Sequence, residues 1–183
     1  MKKILCLGLF LVIFGAGLSA QTSASSGNLE ISFSFRRQTG FSTNQFAVWI
    51  EDSRGNFVKT LYATKFTASG GWAKRPQSIP LWVDRSGLSA LDKKDVDAFS
   101  GATPRTGNLS YRWDGTDKNG NAVALGDYRV LLEATLKEDT KVLYSASFAL
   151  GGESAGTELR PEYSGTRTKE RDMIGNVKIS YRP

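Results

Sequence analysis

Apolar and polar residues alternate in several short stretches of this 183-residue chain, and this pattern constrains its fold more than any other feature. In LEISFSF, residues 29–35, every second side chain is apolar, as in a β-strand with one buried face. The two longest stretches of this kind are 127–136 and 141–150, and shorter ones occupy 109–113 and 176–181. The alternation therefore indicates strands that each turn one face toward a core.

Clusters of Gly, Asn and Asp separate these stretches, as turn residues do. The cluster EDSRGN lies between FAVWI (46–50) and FVKTLY (57–62), which predicts a β-hairpin. IPLWV (79–83) reads as one more short strand, placed at a sheet edge by Pro80. We predict an all-β fold, an antiparallel Ig-like or fibronectin-like β-sandwich of about seven or eight strands with little helix.

Two segments depart from the strand pattern. SALDKKDVDA (89–98) has Ser89 and Asp92 at capping-box spacing, which predicts a helix of very few turns. Residues 151–175 are polar and rich in Gly, with few apolar anchors. They are predicted to form a long polar loop before the last strand.

The N-terminus has the three-part layout of a secretory signal. Lys2 and Lys3 precede an apolar run, and small residues follow that run up to Ala20. The run is shorter than the roughly 20 apolar residues of a transmembrane helix, so a retained membrane anchor is the weaker alternative. We expect cleavage after Ala20, and hence a periplasmic or secreted protein that is not integral to the membrane.

Removal of residues 1–20 leaves a chain of single-domain size. Residues 21–28 are small and polar, and they are predicted to form a flexible leader. Residues 29–183 are then predicted to form one β-sandwich domain.

Composition excludes several classes of site. The chain has no His, and its only Cys, Cys6, lies within the signal. The processed protein therefore cannot use disulfides, thiolate catalysis, a Ser-His-Asp triad or the common His-rich and Cys-rich metal sites. Its net charge of +6 is spread along the chain and falls short of a nucleic-acid footprint, so no nucleic-acid partner is expected.

WDGTDKNGN, residues 113–121, gathers side chains that carry oxygen atoms. Asp114, Asp117 and Asn119 are candidate ligands for Ca²⁺. The EF-type loop pattern fails, because a glycine falls where the first acidic ligand belongs. A turn held by Asx hydrogen bonds explains the same residues, and the shared Gly-Asn-x-Val pattern in EDSRGNFV favours such a turn at both places.

One ordered series of motifs carries a family resemblance. AVWIEDSRGNFVKTLY, Trp82 and DAFSGATPRTGNLSYRWDGTDKNGNAVALGDYRVLLEA resemble the bacterial family of predicted periplasmic proteins called domain of unknown function 2271, from about Leu29 to Gly151. WDGTDKNGNAVALGDYRV is also similar to the Ig-like domain of the flagellar hook-capping protein. That second resemblance implies a sandwich and, as an alternative function, a non-catalytic structural, assembly or adhesion module.

DAFSGATPRTG, residues 97–107, concentrates small and hydroxyl residues in a predicted connection. Its first part resembles the D-x-x-S/T-G-A-T/S motif of extracytoplasmic flavoproteins that carry FMN covalently. The residues that match this motif are Asp97, Ser100, Gly101, Ala102 and Thr103. The resemblance implies that a Mg²⁺-dependent flavin transferase moves FMN from FAD onto Thr103, forming a phosphoester.

The implied function is a covalent FMN carrier in extracytoplasmic electron transfer, rather than a stand-alone catalyst. Its implied partners are the flavin transferase and redox partner proteins. Four cations close in sequence are expected to neutralise the FMN phosphate, namely Lys93, Lys94, Arg105 and Arg112. The alternative is a purely structural loop, because exposed β-connections favour the same residue types.

Overall fold

The computed structural model describes residues 27–40, 44–166 and 169–183, and it consists of two packed β-sheets with a helical layer. The predicted signal and most of the predicted leader lie outside the described residues, and Asn28 already begins the first strand. The strands are Asn28–Phe35 (β1), Gln45–Asp52 (β2), Phe57–Thr64 (β3), Ser100–Gly101 (β4), Gly107–Trp113 (β5), Gly126–Lys137 (β6), Thr140–Leu150 (β7), Ala155–Glu158 (β8), Glu162–Ser164 (β9) and Ile174–Arg182 (β10).

The strands form a four-stranded sheet, in the order β5-β1-β10-β8, and a six-stranded sheet, in the order β4-β3-β2-β6-β7-β9. Their pairings are antiparallel, except that β4 runs parallel to β3. The predicted all-β sandwich is confirmed. The strands outnumber the seven or eight expected, because the short β4, β8 and β9 carry little apolar alternation.

The apolar positions of the alternation meet between the two sheets. Ile31 of β1, Val48 of β2 and Leu132 of β6 are fully buried there. Phe33 and Phe46 make an edge-to-face contact across the gap, with ring centroids 5.6 Å apart. This core confirms the strand faces that the sequence predicts.

A second core covers the outer face of the six-stranded sheet. Between β3 and β4 the chain forms the α-helices Trp72–Lys74 (α1), Pro80–Ser86 (α2) and Lys93–Phe99 (α3), which together with the turns between them we call the helical layer. Trp49 of β2 and Leu131 of β6 pack beneath this layer against Trp82 and Val96. The strands β2 and β6 are therefore buried on both faces.

The predicted strand at 79–83 is wrong, because Pro80 instead opens α2. Proline suits the first position of a helix, where its fixed φ is already helical and its missing N–H costs no hydrogen bond. The preceding Ile79 has a left-handed backbone, with φ of 42°, which is rare for a β-branched residue. Its N–H donates to Thr135 Oγ1 at 2.8 Å, and its side chain is fully buried, so tertiary contacts hold this strained residue.

The buried carboxylate of Glu133 anchors the start of α2. It accepts hydrogen bonds from the N–H groups of Leu81 at 3.3 Å and Trp82 at 2.9 Å. Burial raises the pKa of Glu133 to about 7, although the two backbone hydrogen bonds and Lys141 act in the opposite direction. These bonds span about fifty residues of sequence, and local periodicity cannot reveal them.

The predicted helix within 89–98 is present as α3, but its cap differs from the prediction. Asp92 is the N-cap and accepts a hydrogen bond from Asp95 N at 2.9 Å, while Ser89 belongs to a separate 3-10 turn, Leu88–Ala90. The prediction of one long loop over 151–175 is wrong, since β8, β9 and a 3-10 turn, Lys169–Met173, lie within it. Backbone pairing with β10 and β7 orders the two strands without an apolar face of their own.

Glu133→Gln should remove part of the pH dependence of stability. Between pH 4.5 and about 7 the folded protein keeps a proton on Glu133 that the unfolded chain has lost. The stabilisation that this proton gives to the free energy of unfolding is therefore complete below pH 4.5. It is lost as the pH rises through 7, which lowers the free energy of unfolding by up to about 3 kcal/mol. Urea unfolding from pH 4 to 8 measures this, and the exposed Glu153→Gln is the control. If the free energies of unfolding of wild type and Glu133→Gln differ by the same amount at every pH in this range, the expectation is wrong.

Candidate functional site

The segment 97–107 crosses from the six-stranded to the four-stranded sheet at one end of the sandwich. Asp97 lies in the last turn of α3, and Ser100 and Gly101 form β4, which pairs with Ala63 and Thr64 of β3. The loop proper is confined to residues 102–106, since Gly107 begins β5. Secondary structure therefore fixes both ends of the predicted motif.

Gly101 lies directly against the ring of Tyr62. A Cβ at position 101 would lie 2.8 Å from Tyr62 Cε2. The Tyr62 hydroxyl donates to the carbonyl of Ala102 at 2.7 Å, and its ring stacks on Tyr111 with centroids 4.8 Å apart. Burial raises the pKa of Tyr62, so this phenol stays protonated and remains a donor. Glycine is thus required at 101 because the backbone approaches an aromatic ring.

Thr103 follows this contact and is half-buried, whereas Ala102 is exposed. Within the part of the chain that the structure describes, no hydrogen bond engages the Thr103 hydroxyl. Thr106 differs, because its Oγ1 accepts a hydrogen bond from Arg37 N at 3.0 Å. That bond brings the end of β1 to the loop, a neighbour that sequence reasoning missed because it lies 69 residues away.

Asp97 and Ser100 point to the helical layer. Asp97 pairs with Lys65 across 3.7 Å, and no hydrogen bond joins Asp97 to Thr103 among the described residues. The Ser100 hydroxyl is buried and lacks a described hydrogen-bond partner. The structure thus brings Ser100, Gly101 and Ala102 together at the edge of β3, while Asp97 is engaged on the helical layer.

Lys65 and Asp97 stand at the rim of an open groove of about 520 Å³, which we call the helical groove. Residues from two segments line it, 65–72 and 88–97. Its base is apolar and includes the buried side chains of Ala68, Leu88 and Val96. No pattern in the sequence indicated this groove, because its two walls come from separate helical turns.

The cations expected near the FMN phosphate are placed differently from one another. Arg105 is exposed in the loop, and Lys93 and Lys94 are exposed on α3, with Lys93 at the rim of the helical groove. Arg112 is instead hydrogen-bonded to Glu30 at 2.7 Å on the outer face of the four-stranded sheet, and this bond lowers the pKa of Glu30. The expectation for Arg112 is therefore corrected, since it serves a cross-strand ion pair.

The two Asp-x-x-Gly-Asn turns have matching hydrogen bonds, as their shared sequence predicts. In the first, Asp52 Oδ1 accepts from the N–H groups of Arg54 and Asn56, both at 2.9 Å. In the second, Asp117 Oδ1 accepts from those of Asn119 at 2.8 Å and Asn121 at 2.9 Å. The Asn121 N–H is the main cause of the lowered pKa of Asp117.

Asp114, the other candidate for Ca²⁺, accepts hydrogen bonds from the Thr116 hydroxyl at 2.6 Å and from Lys59 Nζ at 3.3 Å. Burial raises its pKa, but these bonds outweigh burial and leave the pKa low. Among the described residues, no three His, Cys, Asp or Glu side chains cluster as a metal site would require. Lys59 contacts Asp114, and Thr64 pairs with Gly101, two residues before Thr103. Because Lys59 and Thr64 are roughly 17 Å apart along β3, the turn at Asp114 lies far from Thr103.

Gly101→Ala should destabilise the fold by about 1–3 kcal/mol, because the added methyl group displaces a packed ring. The exposed Ala102→Ser is the control and should be nearly neutral. The penalty should shrink when Tyr62→Leu is combined with Gly101→Ala, since the two sites are in contact. Urea unfolding of the four variants measures the coupling, and an additive double mutant would refute the contact as the cause.

Comparison with known proteins places the chain in a family. No curated protein and no solved structure gives a significant match. Among the described residues, no helix has the length and apolar character needed to cross a bilayer. Residues 28–167 match the family described as predicted periplasmic protein, DUF2271, which agrees with the extracytoplasmic location expected from the predicted N-terminal signal. Because this match spans most of the chain, including the six-stranded sheet and the 97–107 segment, the protein belongs to the DUF2271 family of predicted periplasmic proteins.

Proposed function

We propose that this protein is an extracytoplasmic carrier of covalently attached FMN, with Thr103 as the attachment residue. The observation that carries the proposal is the position of Thr103 within its motif. Its hydroxyl has no described hydrogen-bond partner, and it follows a glycine and an alanine at an end of the sandwich. The flavin, when bound, would supply electron transfer, and the chain would supply its position.

The attachment reaction asks little of the chain itself. Thr103 Oγ forms a bond to the FMN phosphorus of FAD, the pyrophosphate bond breaks, AMP leaves, and the hydroxyl proton is released. A flavin transferase with its Mg²⁺ would supply the catalytic groups. The carrier needs an accessible hydroxyl at a fixed place, and no His or Cys is required.

Small residues next to Thr103 support access by a transferase. Gly101 lies flat on Tyr62, and the exposed Ala102 adds one methyl group. The hydrogen bond from Tyr62 to the Ala102 carbonyl fixes the backbone just before Thr103. Rigid placement of the reacting group favours a reaction, since less conformational freedom is lost in reaching it.

The charge around Thr103 also suits a phosphoester. Arg105 is exposed two residues further on, and the Thr106 hydrogen bond holds Arg37, which is exposed too, at the same loop. Arginine pairs well with phosphate oxygens because its N–H groups form a planar fork. Arg37 and Arg105 would neutralise the FMN phosphate, which was the role expected in part of Arg112.

A second candidate function is a structural, assembly or adhesion module of the hook-cap type. The observation that favours it is the edge of the four-stranded sheet, where all four residues of β8 are exposed. An exposed edge strand can accept a strand from another chain. This role makes no use of Thr103, so variants of that residue distinguish the two candidates.

Thr103→Val should abolish flavinylation, because it replaces the accepting hydroxyl with a methyl group of similar size. Thr103→Ser should retain it, since the motif accepts either hydroxyl. The measurement is the intact mass of the exported chain after co-expression with a flavin transferase, where the expected adduct has the mass of FMN less one water.

Thr157→Val is the matched control for this experiment, because it removes an exposed hydroxyl of β8, on another element, and should keep the adduct. In-gel flavin fluorescence gives an independent readout of the same four proteins. A wild-type chain without an adduct, or an adduct that survives in Thr103→Val, would refute the carrier function.

A further inference from the structure

The helical groove has the size and lining of a site for a flat organic ring. Its volume of about 520 Å³ falls within the range of roughly 300–1,000 Å³ that is usual for cofactor sites. The half-buried Trp72 and the apolar Leu88 and Leu91 line its walls, and an indole offers a large face for stacking. A smaller cavity on the other side of α3, of about 230 Å³, is below this range.

A backbone kink opens the wall of the groove. The helical turn Thr67–Gly71 is interrupted at Ser69, with φ of −94° and ψ of 35°, and at Gly70, with φ of 92°. Both residues are exposed and small, and the space where a Cβ would project from Gly70 is empty. The result is a low wall beside Trp72 that leaves room for a ring.

The helical groove lies next to the paired ends of β3 and β4. Thr64 pairs with Gly101, and because β3 and β4 are parallel, both strands end at the same end of the sheet. Lys65, at the groove rim, follows Thr64, and Thr103 lies two residues after Gly101. Strand spacing and residue length place their Cα atoms at most about 16 Å apart. A ribityl phosphate arm can span this separation together with the two side chains.

The rim of the groove is polar in the way that a flavin ring requires. Lys65 and Lys93 supply donors, and Lys65 forms an ion pair with Asp97, which also lines the groove. The pyrimidine side of an isoalloxazine ring carries carbonyl acceptors, whereas its benzenoid side is apolar. A cationic rim over an apolar base matches this division.

From these observations we infer that the helical groove seats the isoalloxazine ring of a flavin whose phosphate is attached at Thr103. This inference rests on the proposed function for the covalent link. The groove itself recognises a flat heteroaromatic ring with carbonyl acceptors. Asp97 then has a role apart from the hydroxyl of Thr103, since it positions Lys65 at the rim.

Ser69→Trp tests the inference, because an indole at this exposed position fills the groove. Ser154→Trp is the matched control, since Ser154 is exposed and does not line the groove. The readout is quenching of the attached flavin by iodide. We expect the wild-type flavin to be shielded relative to free FMN, and Ser69→Trp to raise the quenching constant at least threefold, while Ser154→Trp behaves as wild type.

Intact mass separates the two proposals in the same samples. If the adduct is present but the wild-type flavin is quenched like free FMN, or Ser69→Trp changes nothing, the groove is not the ring site although the carrier function stands. Ser89→Trp, on the opposite wall, repeats the test, and matching circular dichroism spectra confirm that each variant folds. If no adduct forms, riboflavin is titrated onto the chain instead. Saturable binding of riboflavin that Ser69→Trp weakens tenfold supports the groove as a ring site without the covalent link. If riboflavin does not bind, the inference is wrong.

Discussion

The buried carboxylate of Glu133 is the interaction on which the rest of the molecule depends. It lies on the outer face of the six-stranded sheet, where it accepts the hydrogen bonds of Leu81 and Trp82 at the start of α2. Thr135, two residues on and so on the same face, holds Ile79. A polar group in this position would be costly if it had no partner. The sheet and the helical layer therefore specify one another, and the apolar outer face of β2 and β6 stays covered.

This arrangement explains how a β-sandwich comes to carry the helical groove. The helical layer is an excursion between two neighbouring strands of one sheet, and its last helix leads straight into β4. Trp82 fixes the middle of the excursion, since its Nε1 donates to Thr60 at 3.0 Å and its ring contacts Phe99. The sandwich thus provides a frame, and the proposed functional residues belong to segments grafted onto it.

The fold could be predicted from the sequence where apolar residues mark a buried face of a strand, and not where distant contacts or backbone pairing alone order the chain. Period-two alternation identified β1, β7 and β10 because solvent and core select opposite residue types, and it also marked the inner face of β6, which is buried on both faces. The continuous run FAVWI in β2 was the available sign of burial on both faces. The helix α2 was missed because its determinants, Glu133 and Thr135, are far away in sequence. The strands β8 and β9 were missed because backbone pairing alone orders them.

In the candidate site, too, the sequence predicts contacts between nearby residues and misses contacts between residues far apart in the chain. The Asx turns at Asp52 and Asp117 could be predicted in detail, since every bond in them spans at most four residues. The roles of Gly101 and Arg112 could not, because Tyr62 and Glu30 come from other strands. A motif read from sequence therefore names candidate residues, whereas the place where β3 and β4 end together determines what surrounds them. For Thr103, the neighbours that the structure shows are the Ala102 carbonyl held by Tyr62 and the exposed Arg105.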